Sequence, residues 1–159
     1  MLQPDQVELL EAGCGLVIGF VTPSGAPFVT RGWGLDLSDN ASRARVLVGA
    51  ATFASLGYPP GGEIGTMMAS TGCNVLSLKA VQLKGPITDI HPADDRDLAR
   101  LRRYCTAFFD DVNIVDNVPR RLMERLVPTA IVVCEFDVVE TYDQTPGPNA
   151  GAQLGARAK

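Results

Sequence analysis

The sequence predicts a mainly β (α+β) domain, a closed or partly open antiparallel barrel with peripheral helices. Three observations carry this. Several β-prone runs follow one another with only short turn signals between them, and short connections imply antiparallel pairing. Helical periodicity of any length is confined to residues 94–126, just before the last long β-prone run. The strand–helix alternation that builds a doubly wound parallel sheet is missing.

Taken in order, residues 2–12 predict a short helix, with Pro4 in its first turn, Asp5 in the N-cap region, and Val7, Leu9 and Leu10 on one side. Gly13 breaks it. The apolar run 15–22 and the segment 26–33, joined by Pro23-Ser-Gly25, predict a hairpin whose second strand extends into 34–36. Asp39-Asn40 marks the next turn. Residues 43–48 form a third strand in which Arg43 and Arg45 alternate with Ala44 and Val46. Residues 50–56 lack alternation and predict one or two helical turns, and Tyr58–Gly62 a loop. Residues 63–69 predict a strand ended by a turn at Ser70-Thr-Gly72. Residues 75–90 carry the longest β pattern, with a phase change near Ala80-Val81 and an interruption at Gly85-Pro86, which together predict a bulge or bend. Helices follow at 94–110 and 119–126, then one strand over 130–142.

At 159 residues, 46% apolar and 20% charged, the chain is sized for one domain, placed at 1–152, with 153–159 as a flexible tail. Fourteen basic and eighteen acidic residues leave a net charge of −4, so neither nucleic acid nor an anionic membrane surface is an expected partner. The helical region holds seven basic and seven acidic residues, a solvated cover rather than a basic patch. The first residues lack a basic leader region, and no apolar run approaches the roughly 18 residues that cross a bilayer. The expectation is a cytoplasmic protein. Cys14, Cys73, Cys105 and Cys134 have no metal-ligand spacing and are expected to be reduced and buried, a disulfide pair among them staying open. No metal site is expected, because His91 is the single histidine.

Phosphate-loop, dinucleotide-fingerprint and nucleophile-elbow motifs are absent. His91 stands at a strand exit, and the pairs Asp94/Asp95 and Asp110/Asp111 sit at helix ends, where they cap and solvate. An enzyme without its own nucleophile, base or metal borrows chemistry from a cofactor. Three features suit one. Arg31 lies mid-strand beside Gly32-Trp33-Gly34, where a flat ligand can approach the backbone. Thr52 and Ser55 follow the third strand at a helix start. Lys79, Gln82 and Lys84 put polar groups into an apolar strand, Gln82 and Lys84 on one face.

The segment Leu78–Asp89 (LKAVQLKGPITD), the helix after His91-Pro92 and the ending Asp143-Gln-Thr-Pro-Gly-Pro-Asn-Ala-Gly151 together resemble the FMN-binding split-barrel proteins related to pyridoxamine 5′-phosphate oxidase. The resemblance spans about residues 14–152. It implies a six-stranded antiparallel split β-barrel, a homodimer, and FMN held at the subunit interface. By this resemblance Arg31 meets the flavin phosphate or ring edge, Trp33 lines the ring, and Gln82 faces the isoalloxazine or ribityl chain. Lys79 supplies a basic group, and Thr52 and Ser55 supply phosphate-binding hydroxyls. The sequence departs from the oxidase pattern where Asp36 replaces a basic residue and where no Ser-Arg-Lys cluster follows Thr52. The activity implied is an FMN-dependent oxidoreductase of unassigned substrate, with NADH or NADPH as candidate donor. The alternatives are a non-catalytic dimeric barrel that binds flavin, deazaflavin, haem or another planar ligand, and an interaction module with no cofactor.

Overall fold

A computed structural model of the chain describes residues 2–22, 24–55 and 66–154. Seven strands run β1 (Gly15–Val21), β2 (Pro27–Leu37), β3 (Arg43–Gly49), β4 (Met67–Cys73), β5 (Ala80–Pro92), β6 (Ile131–Asp137) and β7 (Glu140–Asp143). Four helices accompany them: α1 (Pro4–Glu11), α2 (Ala50–Ser55), α3 (Asp95–Asp116) and α4 (Arg120–Met123), the last continued by a 3-10 turn over Glu124–Leu126. All strand pairs are antiparallel. The sheet order β4-β1-β2-β3-β6-β5-β7, with β4 also paired to β5, closes six strands into a barrel and leaves β7 as an added strand. Among the described residues no helix is long and apolar enough to cross a membrane.

The predicted barrel with peripheral helices is borne out. Alternation fills its interior: Leu16, Ile18 and Phe20 of β1, Met68 of β4, Leu83 and Ile87 of β5, and Cys134 and Phe136 of β6 are buried together. Long β5 holds the barrel together. Its first half pairs with β4 and β7, while its second half pairs with β6 across a register shift between Ile87 and Asp89.

Several expected boundaries move. Ser70-Thr-Gly72 lies inside β4 instead of ending it. Ser70 is fully buried, and a Cβ at Gly72 would collide with Leu10 and Cys14. The turn falls at Asn74, whose Oδ1 accepts the backbone N–H groups of Leu76 and Ser77. Lys79 is consequently in the loop before β5 rather than on the strand, and the pairing of β5 with β4 runs without a shift past Ala80, Val81 and Gly85. The expected single strand over 130–142 is two strands, because the chain leaves the sheet at Val138-Val139. The Asp137 carbonyl oxygen there sits against Gly85, where any Cβ would collide with it. Expected strand residues 63–65 and loop residues 58–62 lie outside those described, as does Pro23 of the predicted hairpin turn.

Helix α3 runs six residues further than expected. It starts from Asp94, whose carboxylate accepts the Asp97 N–H at 2.9 Å while Asp97 accepts the Asp94 N–H at 3.0 Å, and it stops at Asn117 with φ 51°. Helix α1 begins after Gln3, whose N–H donates to the Gln6 side chain. At the far end, Gln153 bridges to Tyr142, and Leu154 exchanges hydrogen bonds with Thr141. The first two residues of the expected tail are thus tied to β7; residues 155–159 lie outside those described.

Candidate functional site

The candidate site is built on the outer surface of the barrel half formed by β2, β1, β4, β5 and β7. Register aligns Arg31, Val17, Thr71, Gln82 and Tyr142 in one row across these strands. The next row is Val29, Gly19, Ala69, Lys84 and Glu140. Alternation turns all of these residues away from the interior. Three strand steps separate Arg31 from Gln82, a span of about 14 Å. The middle of this face is apolar and open: Val29 is 65% exposed, Val17 53% and Met67 44%. Gly19 and Ala69 keep it flat, and a Cβ at Gly19 would meet nothing.

Arg31 occupies one end of the row, against α3. Its guanidinium lies 4.8 Å from the Trp33 ring centroid and 4.4 Å from that of Phe108. Trp33 and Arg31 share the outer side of β2 before a bulge between Gly32 and Leu35, where Gly34 takes φ 133°, a backbone conformation that disfavours a side chain. Arg31 Nε and Nη2 are buried without hydrogen-bond partners. Tyr104 of α3, stacked 5.7 Å from Phe108, presents a buried hydroxyl that also lacks a partner. Burial pushes the Tyr104 hydroxyl pKa up, and the nearby Arg31 charge opposes the rise. Burial likewise pushes Cys14 up to about 12 and raises Cys105, so both thiols stay neutral.

At the other end Gln82 Nε2 donates to Thr71 Oγ1 at 2.9 Å, and Gln144 Nε2 donates to Gln82 Oε1 at 3.5 Å. Lys84 Nζ rests 4.5 Å from the Tyr142 ring centroid. The Tyr142 hydroxyl donates to Glu140 Oε2 at 2.6 Å, the main cause of its raised pKa. Gln144 belongs to the ending quoted above, and Thr145 of the same segment accepts the Ala80 N–H through Oγ1.

The other expected site residues stand apart from this row. Helix α2 leaves β3 immediately after Gly49, next to the Val48–Gly32 pair, so its start lies at the Arg31 end of β2. Thr52 is on that helix, and Ser55 spends its hydroxyl proton on the Thr52 carbonyl oxygen at 2.6 Å. Lys79 Nζ reaches Asp5 at 4.0 Å across a cleft of about 270 Å³ between α1 and the start of β5. The structure therefore brings Arg31 and Trp33 together, aligns Gln82 with them, and turns Lys79 toward α1. Sequence reasoning missed Tyr104, Thr71 and Tyr142. Tyr104 falls four residues before Phe108 and three after Leu101, on the apolar side already assigned to α3, and that spacing was the available signal.

The residues present fit a planar ligand carrying an anionic group. Arg31 offers two buried donors with no acceptor, and the open row toward Gln82 offers a flat surface with a polar end. Among the described residues no group of three or more His, Cys, Asp or Glu is arranged to hold a metal ion.

No family model matches the sequence, and no curated protein matches it. Solved structures do. HupZ of Group A Streptococcus is 14% identical, with 95% of this chain and 100% of that one covered and a TM-score of 0.53. An F420 reductase is 15% identical, covering 88% and 98%, at a TM-score of 0.48. HutZ, the heme storage protein of Vibrio cholerae, is 12% identical, covering 89% and 94%, at 0.44. The likeness is one of fold: the chain has the split-barrel architecture, as its resemblance to the pyridoxamine 5′-phosphate oxidase-like proteins implied.

Proposed function

We propose that this protein is an FMN-dependent oxidoreductase of the split-barrel type. The observation that carries the reading is Arg31, a cation packed between two aromatic rings with two buried donors unmet, at the end of a flat row that finishes in Gln82. Bound FMN would supply the hydride chemistry between a reduced nicotinamide donor and the substrate. The chain supplies position and electrostatics. Arg31 takes the phosphate or ring edge through charge-assisted hydrogen bonds, each worth about 1.5–3 kcal/mol. Trp33 holds the guanidinium in place. Gln82, fixed by Thr71 and Gln144, offers amide donor and acceptor groups to the flavin's polar edge.

The open valine face gives the second half of the proposal, a homodimer. Two copies pairing through Val17, Val29 and Met67 would cover apolar surface that the monomer leaves in water, and would exclude water from the row beside it. Haem is disfavoured by the placement of His91. Its Nδ1 lies 2.9 Å from the Pro92 carbonyl oxygen and its Nε2 3.4 Å from Glu135, on the second half of β5.

The test is the visible absorbance of protein loaded with FMN and then desalted, followed by NADH or NADPH. Flavin bands that stay with the protein, and bleach faster than free FMN does, are expected. A Soret band on purified protein, or no retained flavin, overturns the reading.

A further inference from the structure

We propose that Arg31 and Tyr104 together form a binding recess for a phosphomonoester beneath α3, with the helix as its wall. Nε and Nη2 are the two nitrogens that share one edge of a guanidinium, the edge that meets two oxygens of a phosphate in parallel. In Arg31 these are the two atoms buried without an acceptor. The Tyr104 hydroxyl is the third unmet donor, on a side chain only 3% exposed. Both groups bear on the Phe108 ring, which fixes them relative to one another: Arg31 lies over it and Tyr104 stacks beside it.

The surroundings supply no counter-charge. Cys14 and Cys105 are neutral, and the acidic groups near α3 are engaged elsewhere. Asp36 pairs with Arg100 and Arg96, Asp97 pairs with Arg45, and Glu11 accepts the Leu37 N–H at 2.9 Å. A buried guanidinium and hydroxyl left unmet carry their full desolvation penalty, which an oxyanion removes. Tyr104 also lines a cleft of about 170 Å³ that it shares with Glu11, Gly34, Arg100 and Arg103, so α3 brings two further cations to the same region. The inference rests on the flavin reading only for whose phosphate enters: that of FMN, or that of a separate phosphorylated substrate.

Trp33 is the single tryptophan of the chain and packs against Arg31, so its fluorescence reports on the recess. Inorganic phosphate is titrated into the full chain at constant ionic strength, against chloride, with Trp33 emission and the melting temperature as readouts. The expected result is saturable binding that weakens roughly tenfold in Tyr104→Phe and further in Arg31→Lys. Tyr104→Phe keeps the ring stack and answers alone if the arginine variant does not fold. Phosphate without effect, or binding unchanged in Tyr104→Phe, overturns the recess. FMN is then titrated by quenching of its own fluorescence. Phosphate binding that needs both residues, in a protein that binds no FMN, sustains the recess and removes the flavin reading. FMN binding indifferent to phosphate and to Tyr104→Phe removes the recess and leaves the flavin reading standing.

Discussion

The two halves of the barrel's outer surface treat charge in opposite ways. Over β3, β6 and the second half of β5, charged groups are paired. Arg45 stands 3.2 Å from Asp97 and 3.0 Å from Glu135, Glu135 also meets His91, and Arg43 meets Asp137 at 3.4 Å. Asp97, 4% exposed, serves twice, because it caps α3 as well. Over β2, β1, β4 and the first half of β5, Arg31 has no carboxylate partner among the described residues, and valines face outward. A charge buried for architecture is given its partners by the same chain. Arg31 has none, and that marks its half as the one built to be completed from outside.

Substitutions can break or sharpen this contrast. Gly85→Ala strikes both halves at once, since it drives β5 off the Asp137 carbonyl where the halves meet. A loss above about 4 kcal/mol, or failure to fold, is expected from chemical denaturation. Arg45→Met leaves Asp97 and Glu135 unpaired beside α3 and should destabilise by about 2 kcal/mol, below the usual range because the arginine is partly exposed. Arg31→Met, the same exchange on the open half, should leave the ligand-free protein as stable or raise its melting temperature while abolishing FMN retention. Equal destabilisation by the two arginine exchanges would erase the distinction. Val29→Lys should convert the proposed dimer to monomer by light scattering with little change in monomer stability. The smallest effect is the pH dependence of the paired half. The Pro92 carbonyl first, then Glu135 and Asp89, raise the His91 pKa above its ordinary 6.5. The stability it contributes is full below that value and falls as pH rises through the folded-state pKa, a slope His91→Gln should remove from melting curves.

The sequence makes the closed half of this contrast easy to read and the open half hard. Alternating apolar runs place β1, β2 and β3 within a residue or two, because alternation is what a barrel wall requires. Ser70-Thr-Gly72 misleads because turn-like residues are demanded inside the wall: Gly72 makes room for Leu10 and Cys14, a contact made by residues some sixty positions away. The break at Val138-Val139 is invisible for the same reason, since two valines favour strand and only Gly85, on another strand, shows why the chain turns off. Arg31 and Gln82 are visible through resemblance, and their common row follows only from register. Tyr104 hides among the apolar positions of an amphipathic helix, where a hydroxyl adds nothing to the pattern.

Strand β5 has a consequence for the order in which the barrel opens. It is held on one edge by β4 and on the other by β7 and β6, so no half can detach while β5 keeps its place. In hydrogen exchange, the amides of residues 81–87 should be released only when the whole molecule unfolds. Those of β7, four residues long and bonded to β5 along one side, should fray on their own and exchange early. Because Tyr142 and Glu140 ride on β7, the polar end of the ligand row is mounted on the most labile strand, and a bound ligand would make itself known there first, as slowed exchange.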